Sequence, residues 1–146
     1  MKIISAFIAI LFLSGSVFAT DCSTVEEMDT ADTAASKIHN WTGVNSFYSH
    51  FRQCDDGYIS EGMSATVVNL LAHKWGDTAQ LEKITNQDKN FKTWVLNHID
   101  TSVNYDDLDL IIKNARNECP ANSNNFCKKI ESAANQALQE MTAPAP

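Results

Sequence analysis

Residues 54–76, CDDGYISEGMSATVVNLLAHKWG, contain the apolar pattern that decides the fold of this chain. Apolar residues recur in it at i, i+4, i+8, i+11, i+12 and i+16, a spacing that places them on one face of a helix. This face consists of Ile59, Met63, Val67, Leu70, Leu71 and Trp75. Gly76 is a natural C-cap, so we expect the helix to end there. Gly62 would cost about 1 kcal/mol inside a helix, so we expect either that the regular helix starts at Ser64 or that another backbone packs closely against Gly62.

The first nine residues of this stretch, CDDGYISEG, look like half of a calcium-binding loop. An EF-hand loop has its glycine at position 6 and oxygen ligands at positions that include 1, 3 and 12. With Gly57 at position 6, those three positions fall on Arg52, Cys54 and Met63. A guanidinium, a thiol and a thioether replace the oxygen ligands, so the sequence predicts no calcium site and no other metal site here.

The same nine residues are better explained as a corner between two helices. Cys54 would anchor the corner, and Asp55 or Asp56 would accept hydrogen bonds from the free N–H groups of the next helix. Glu61 lies near that helix N-terminus, where the helix dipole stabilises a carboxylate. These acids are therefore first interpreted as capping residues.

Similar apolar spacing predicts helices on both sides of the corner. Ser23 and Glu26 fit a capping box that opens a first helix running to about Ile38. A second stripe begins at Trp41 and continues at helical spacing to the corner at Cys54. Because no alternating run of β-branched residues is present, the sequence predicts no strand.

Cap signals divide the second half of the chain into further helices. Asp77 marks one start, Asn86 or Asp88 the next, and Asn104 a third. A last amphipathic helix extends to about Met141. The predicted fold is an all-α, compact bundle of five to seven helices that forms one domain over residues 20–141. The final segment 142–146, TAPAP, cannot continue a helix and is expected to be a disordered tail.

Residues 1–19 have the features of a secretory signal peptide. Lys2 precedes a short apolar run, and Val17-Phe18-Ala19 forms a small-residue cleavage site before Thr20. The run is too short for a membrane-spanning helix. We therefore expect a periplasmic or secreted protein that is cleaved near Ala19. Cleavage removes one lysine and no acid, so the net charge of −7 becomes −8.

The four cysteines all lie in the predicted mature chain, at Cys22, Cys54, Cys119 and Cys127. An even number of cysteines in a short exported chain indicates disulfides, and four cysteines allow three pairings. We favour Cys119 with Cys127, because the Pro-, Asn- and Ser-rich segment between them could be closed by a local bridge. Cys22 would then pair with Cys54. A zinc site is not expected, since no close C-x-x-C pair is present.

Catalytic motifs are not evident in the sequence. His39, His50, His73 and His98 show no H-x-x-x-H or H-E-x-x-H spacing. Glu61 with Asp55 or Asp56 would provide the two carboxylates of a small hydrolase, but helix capping explains the same residues. The sequence therefore predicts a protein that is not an enzyme and needs no cofactor, and a hydrolase using Glu61 is the third-ranked hypothesis.

The acidic composition makes nucleic acids and anionic membranes poor partners and a basic protein a natural one. The acids most suited to binding such a partner fall in two groups around the corner and near residue 107. They are Asp55, Asp56, Glu61, Asp106, Asp107 and Asp109. An exposed aromatic patch rimmed by acids would favour this hypothesis. The alternative is a module that binds a hydrophobic ligand between helices lined by Met63, Trp75 and Trp94.

Together, the signal peptide, the acidic helical domain and the disulfides resemble periplasmic immunity proteins of type VI secretion, especially those that neutralise cell-wall amidases. CDDGYISEG followed by VVNLLAHKW, WVLNHID and NARNECP is also similar to a pattern in small exported bacterial proteins of no assigned function. The first resemblance implies a protein that binds and neutralises a toxin or cell-wall-degrading enzyme in the periplasm, often as a homodimer. It carries no individual site residues over to this chain.

Overall fold

A computed structural model describes residues 20–144, which form seven α-helices and no strand. The helices are α1 Val25–Ala35, α2 Trp41–Phe51, α3 Gly57–His73, α4 Thr78–Gln87, α5 Lys89–Asn97, α6 Tyr105–Asn117 and α7 Asn124–Thr142. Short 3-10 helices follow α2 at Arg52–Cys54 and α3 at Trp75–Asp77. The predicted all-α bundle is confirmed, whereas the predicted signal peptide lies outside the described residues.

The core is built around the apolar face of α3. Ile59, Met63, Val67, Leu70 and Leu71 are all at most 3% exposed, as the spacing predicted, and Trp75 is half-buried just beyond the helix. Helix α1 packs against α2 and α3, α6 packs against α3, and α7 lies along α6 and α5. Burial of each large apolar side chain contributes roughly 1.5–3 kcal/mol, so this face holds the bundle together.

The start of α1 differs from the prediction by one residue. Thr24, not Ser23, is the N-cap, and its hydroxyl accepts a hydrogen bond from the backbone N–H of Glu27. The Glu27 carboxylate in turn accepts from the backbone N–H groups of Ser23 and Thr24. Two overlapping S/T-x-x-E patterns occur here, and the predicted box with Glu26 is the one that does not form. The helix also ends at Ala35 rather than near Ile38.

The predicted C-terminal end of α3 is wrong, whereas its N-cap is Asp56, one of the two aspartates that the sequence indicated. The helix begins at Gly57, not Ser64, directly after the N-cap Asp56, and Gly57 has a φ of +52°. It ends at His73, where Lys74 leaves the helical conformation, so Gly76 lies in the following 3-10 turn. A Cβ placed on Gly62 would meet nothing within 4 Å. Neither a late helix start nor a closely packed backbone therefore explains this glycine.

The later caps agree better with the sequence. Asp88 accepts hydrogen bonds from the N–H groups of Asn90 and Phe91, and Asn104 accepts one from Asp107. Asp77 occupies the predicted cap position of α4, but its side chain makes no capping hydrogen bond. Helix α7 extends to Thr142, one residue into the predicted tail. Residues 145–146 lie outside the described part of the chain.

Two disulfides have the predicted pairing. Cys22–Cys54 joins the N-terminal segment to the corner after α2, with a Cα–Cα distance of 5.1 Å. Cys119–Cys127 closes the connection between α6 and α7, with a Cα–Cα distance of 6.1 Å. Among residues 20–144, no helix combines the length and hydrophobicity that crossing a bilayer would require.

Candidate functional site

The corner between α2 and α3, residues 52–61, is fixed by three local features. Cys54 is 3% exposed and bonded to Cys22. Asp56 has the extended backbone of an N-cap, and its Oδ1 accepts a hydrogen bond from the N–H of Gly57 at 2.8 Å. Gly57 supplies the positive φ, which a residue with a Cβ adopts only at a cost. The predicted corner and its capping aspartate are confirmed.

Asp55 points away from solvent and into the domain. Its Oδ2 accepts a hydrogen bond from the indole Nε1–H of Trp94 at 2.6 Å. Its Oδ1 lies 3.0 Å from Nε2 of His98. The side chains of Asp55 and His98 are only 11% and 5% exposed. One of the acids predicted to bind a partner is therefore used to attach the corner to α5.

The surroundings of His98 define its charge. Its Nδ1 lies 2.8 Å from the backbone oxygen of Trp94, and a carbonyl oxygen can only accept, so Nδ1 carries a proton. Its Nε2 faces the Asp55 carboxylate, which also accepts, so Nε2 carries a proton as well. A ring protonated at both nitrogens is an imidazolium, and the pair is therefore a largely buried ion pair.

The pKa shifts of the two groups agree with this assignment. Burial alone would lower the pKa of His98, but hydrogen bonds to Asp55 and to the Trp94 carbonyl, with the nearby negative charges, raise it above 6.5. Burial alone would raise the pKa of Asp55, but the hydrogen bonds and charge of His98, with the Trp94 bond, lower it below 3.8. Each partner thus stabilises the charged form of the other.

This ion pair limits the chemistry that the site could perform. Both nitrogens of His98 are engaged, so neither is free to accept a proton from a substrate or to bind a metal. The imidazolium also lies against the ring of Trp94, with centroids 4.0 Å apart, which suits a cation–π contact. The arrangement favours a positioning role, in which α5 holds the corner rigid.

A second polar contact ties the middle of α3 to the segment after α5. The hydroxyl of Ser64, which is 1% exposed, donates to Oδ2 of Asp100 at 2.6 Å. The other oxygen of Asp100 accepts from the N–H and hydroxyl of Ser102. The sequence reading missed this contact and the Asp55–His98 pair. The segment WVLNHID contains His98 and Asp100, but the residues around them in the sequence do not indicate that they contact Asp55 and Ser64.

The outward side of the corner carries an aromatic residue between acids. Tyr58 is 54% exposed, and Asp56 and Glu61 on either side of it in sequence are exposed as well. We call Asp56, Tyr58 and Glu61 the corner surface. It contains two of the predicted binding acids and an exposed aromatic that sequence reasoning did not single out, because Tyr58 has no distinguishing motif.

The second predicted acidic group lies at the start of α6. Asp107 accepts from the side-chain amide of Asn104 and lies 2.8 Å from Nε2 of His73. Asp109 pairs with Lys113 at 2.6 Å. Asp106 is exposed, and the neighbouring Tyr105 is 51% exposed. Two of these three acids therefore have partners within the chain.

The residues of the two alternative hypotheses have partners of their own within the fold. Met63 is fully buried, Trp75 donates to the backbone oxygen of Glu118, and Trp94 donates to Asp55. None of the three lines the groove of about 430 Å³ between α5 and α7. Glu61 is exposed, and Asp55, one of its two predicted partners in a hydrolase, faces His98.

Comparison with known proteins gives no assignment: no family model, no curated protein and no solved structure matches this chain. Within residues 20–144, no group of three or more His, Cys, Asp or Glu side chains is arranged to hold a metal ion. The functional proposal therefore depends on the geometry of the chain's own residues.

Proposed function

We propose that this protein is an exported protein-binding protein of the immunity or inhibitor type. It acts in the periplasm or outside the cell after residues 1–19 are removed. There it binds and neutralises a toxin or a cell-wall-degrading enzyme. Binding of this kind requires no bond-making chemistry and no cofactor from this chain.

The observation that carries the proposal is the exposure of Tyr58 between acids on a fixed corner. Tyrosine is one of the residues that most often dominate binding energy in protein interfaces. Tyr58 is 54% exposed and makes up the aromatic part of the corner surface. The exposed acids Asp56 and Glu61 lie on either side of it in sequence, and acids around such an anchor raise the association rate with a basic partner.

The rigidity of the corner supports the same proposal. The Cys22–Cys54 disulfide, the Asp56 cap and the Asp55–His98 ion pair all hold the first turn of α3 in place. A surface that is already ordered loses less conformational entropy on binding, and more of its contact energy appears as affinity. The buried ion pair thus serves the exposed surface.

Gly62 adds a further argument. It is exposed, lies one helical turn after Tyr58 and has open space where its Cβ would be. A glycine at such a position lowers helix stability without any benefit within the fold. A partner that packs closely beside Tyr58 would explain the absence of a side chain there. Local rules of this kind are most often broken at functional sites.

The partner expected from these features is an enzyme with a basic cleft. The tyrosine would enter the cleft, and the two carboxylates would meet its cationic rim. The net charge of −8 after cleavage, obtained from −7 by removing Lys2, favours long-range attraction to such a surface. The resemblance to immunity proteins adds the expectation of a homodimer, which light scattering of the complex measures directly.

The test uses the oxidised chain from Thr20 as bait for periplasmic extract and for exported enzymes encoded beside its gene. A captured enzyme counts only if the purified protein inhibits it at stoichiometric concentration. Tyr58→Ala is then expected to weaken binding by tenfold or more, which corresponds to about 1.4 kcal/mol. Isothermal titration calorimetry measures the change.

Tyr105→Ala is the matched control, since Tyr105 is exposed to a similar extent on α6, at 51%. It should leave the affinity within about twofold. If Tyr105→Ala weakens binding and Tyr58→Ala does not, the corner surface is the wrong interface. If no enzyme is both captured and inhibited, the immunity proposal itself fails.

A further inference from the structure

The described segment before α1 begins at Thr20, the residue that follows the predicted cleavage site. The backbone nitrogen of Thr20 donates a hydrogen bond to the backbone oxygen of His50 at 2.8 Å. His50 lies in the last turn of α2, where carbonyl groups have no partner within the helix. Two residues further on, Cys22 is fixed to Cys54. The nitrogen of Thr20 is therefore held near the negative end of α2.

Thr20 also shares a surface depression with two acidic residues of α1. Thr20, Glu26 and Glu27 line a depression of about 410 Å³ together with two threonines of the α1 region. Hydrogen bonds from Thr24 and Ser23 lower the pKa of Glu27, so this carboxylate is charged at neutral pH. His50 and Arg52 are the basic side chains at the end of α2, and Asp21 follows Thr20 directly.

We propose that cleavage between Ala19 and Thr20 creates a structural ammonium site, in which the new α-amino group of Thr20 caps α2 beside the depression that Glu26 and Glu27 line. A signal peptidase adds water across the peptide bond, with the hydroxyl going to the Ala19 carbonyl carbon and a proton to the Thr20 nitrogen. A further proton from solvent gives the ammonium. Processing thus replaces a neutral amide by a positive charge at a helix C-terminus.

The charge is favourable at this position for two reasons. A cation near a helix C-terminus interacts favourably with the helix dipole, and the glutamates that line the depression add attraction of the same sign. The α-amino pKa, ordinarily about 7.7–8.0, should therefore rise on folding. A group whose pKa rises on folding stabilises the protein below its unfolded pKa, and this contribution disappears above the folded pKa.

The inference rests on the proposed export of the chain but not on the proposed partner, so partner-free protein is used throughout. The first measurement is the mass of the protein recovered from the periplasm. A chain that begins at Thr20 is expected, and a different first residue overturns the proposal. This result is independent of whether any enzyme is captured.

The second measurement compares three oxidised forms. One begins with a free Thr20, one carries an acetyl group on that nitrogen, and one retains Ala19. We expect the melting temperature of the free form at pH 6 to exceed that of the other two by about 1–4 °C. The difference should vanish at pH 10. Equal melting temperatures at pH 6 would refute the capping role.

Two matched variants on α1 test the contribution of the carboxylates. Glu26→Gln removes a charge from the depression that Thr20 lines, whereas Asp29→Asn removes an exposed charge from the same helix outside the depression. We expect the first to lower the α-amino pKa measured by NMR and the second to leave it unchanged. If both variants changed the α-amino pKa equally, the overall charge of the protein would explain the change, and this result would contradict the proposed site.

Discussion

The side chains of Asp55 and His98 meet across 43 residues of sequence, with oxygen and nitrogen 3.0 Å apart and little access to water. Removing one member of such a pair leaves the other charged and buried without compensation, which costs about 3–5 kcal/mol. Replacing both members by neutral groups of similar shape costs less. A single replacement that costs more stability than the double replacement therefore indicates that the two side chains are charged.

We expect His98→Gln to lower the free energy of unfolding by about 3 kcal/mol, since glutamine cannot carry the positive charge that Asp55 requires. Urea denaturation at pH 6 measures the loss. The double variant Asp55→Asn with His98→Gln should be more stable than the sum of the single losses predicts.

His73→Gln is the control for this prediction. His73 also lies beside an aspartate, Asp107, but its side chain is 49% exposed. Its replacement should change the free energy of unfolding by no more than about 0.5 kcal/mol. Similar losses for His73→Gln and His98→Gln would mean that burial of the Asp55–His98 pair adds nothing to its contribution to stability.

The pH dependence of stability follows from the direction of the two pKa shifts. The pKa of His98 is raised from 6.5, so its contribution is complete below pH 6.5 and is lost as the pH rises through its folded pKa. The pKa of Asp55 is lowered from 3.8, so its contribution is complete above pH 3.8 and is lost as the pH falls through its folded pKa.

The stability difference between the wild type and the Asp55→Asn, His98→Gln double variant should therefore be largest between about pH 4 and pH 6.5. Denaturation curves of both proteins from pH 3 to pH 9 test this window. A difference that is constant over the whole range would contradict the ionic assignment.

Helix α3 contains two glycines with opposite roles. Gly57 begins the helix with a φ of +52°, whereas Gly62 lies inside it with open space around the Cβ position. We expect Gly62→Ala to raise the free energy of unfolding by about 0.5–1 kcal/mol. Gly57→Ala should lower it by about 1 kcal/mol, because alanine is strained at a positive φ. A loss of stability in Gly62→Ala, measured by urea denaturation of the partner-free protein, would show that the glycine serves the fold.

The number and type of the helices could be predicted because each apolar stripe repeats at helical spacing within a short segment. Their ends were harder, since they depend on which of several neighbouring caps forms its hydrogen bonds. Ser23 and Thr24 each precede a glutamate by three residues, and only backbone geometry selects Thr24. Gly76 has the usual identity of a C-cap, but the helix had already ended at His73.

The candidate site was less predictable than the helices. Asp55 could be recognised as a corner acid, but its inward direction depends on His98, which is on another helix. The exposure of Tyr58 likewise depends on how the whole bundle packs. Spacing within a sequence describes a helix and its neighbours along the chain, whereas these contacts join residues about 40 positions apart.

The two disulfides make unequal contributions to the stability of the whole domain. Cys22–Cys54 spans 32 residues and Cys119–Cys127 spans 8. On the loop-entropy model these correspond to about 3.7 and about 2.5 kcal/mol of stabilisation. We therefore expect replacement of Cys22 and Cys54 by serine to lower the urea midpoint more than replacement of the other pair. The reverse order would mean that chain entropy does not govern the effect of these crosslinks.

The contact between Trp94 and His98, with ring centroids 4.0 Å apart, gives this protein an intrinsic optical reporter. An excited indole loses its energy more readily to a protonated imidazole than to a neutral one, so Trp94 should emit weakly while His98 is charged. Its fluorescence should therefore increase as the pH rises through the pKa of His98. Trp94→Phe should abolish this increase, while Trp41 and Trp75 continue to emit. The state of the buried pair can thus be followed by light, without a label, in the free protein and in its complexes.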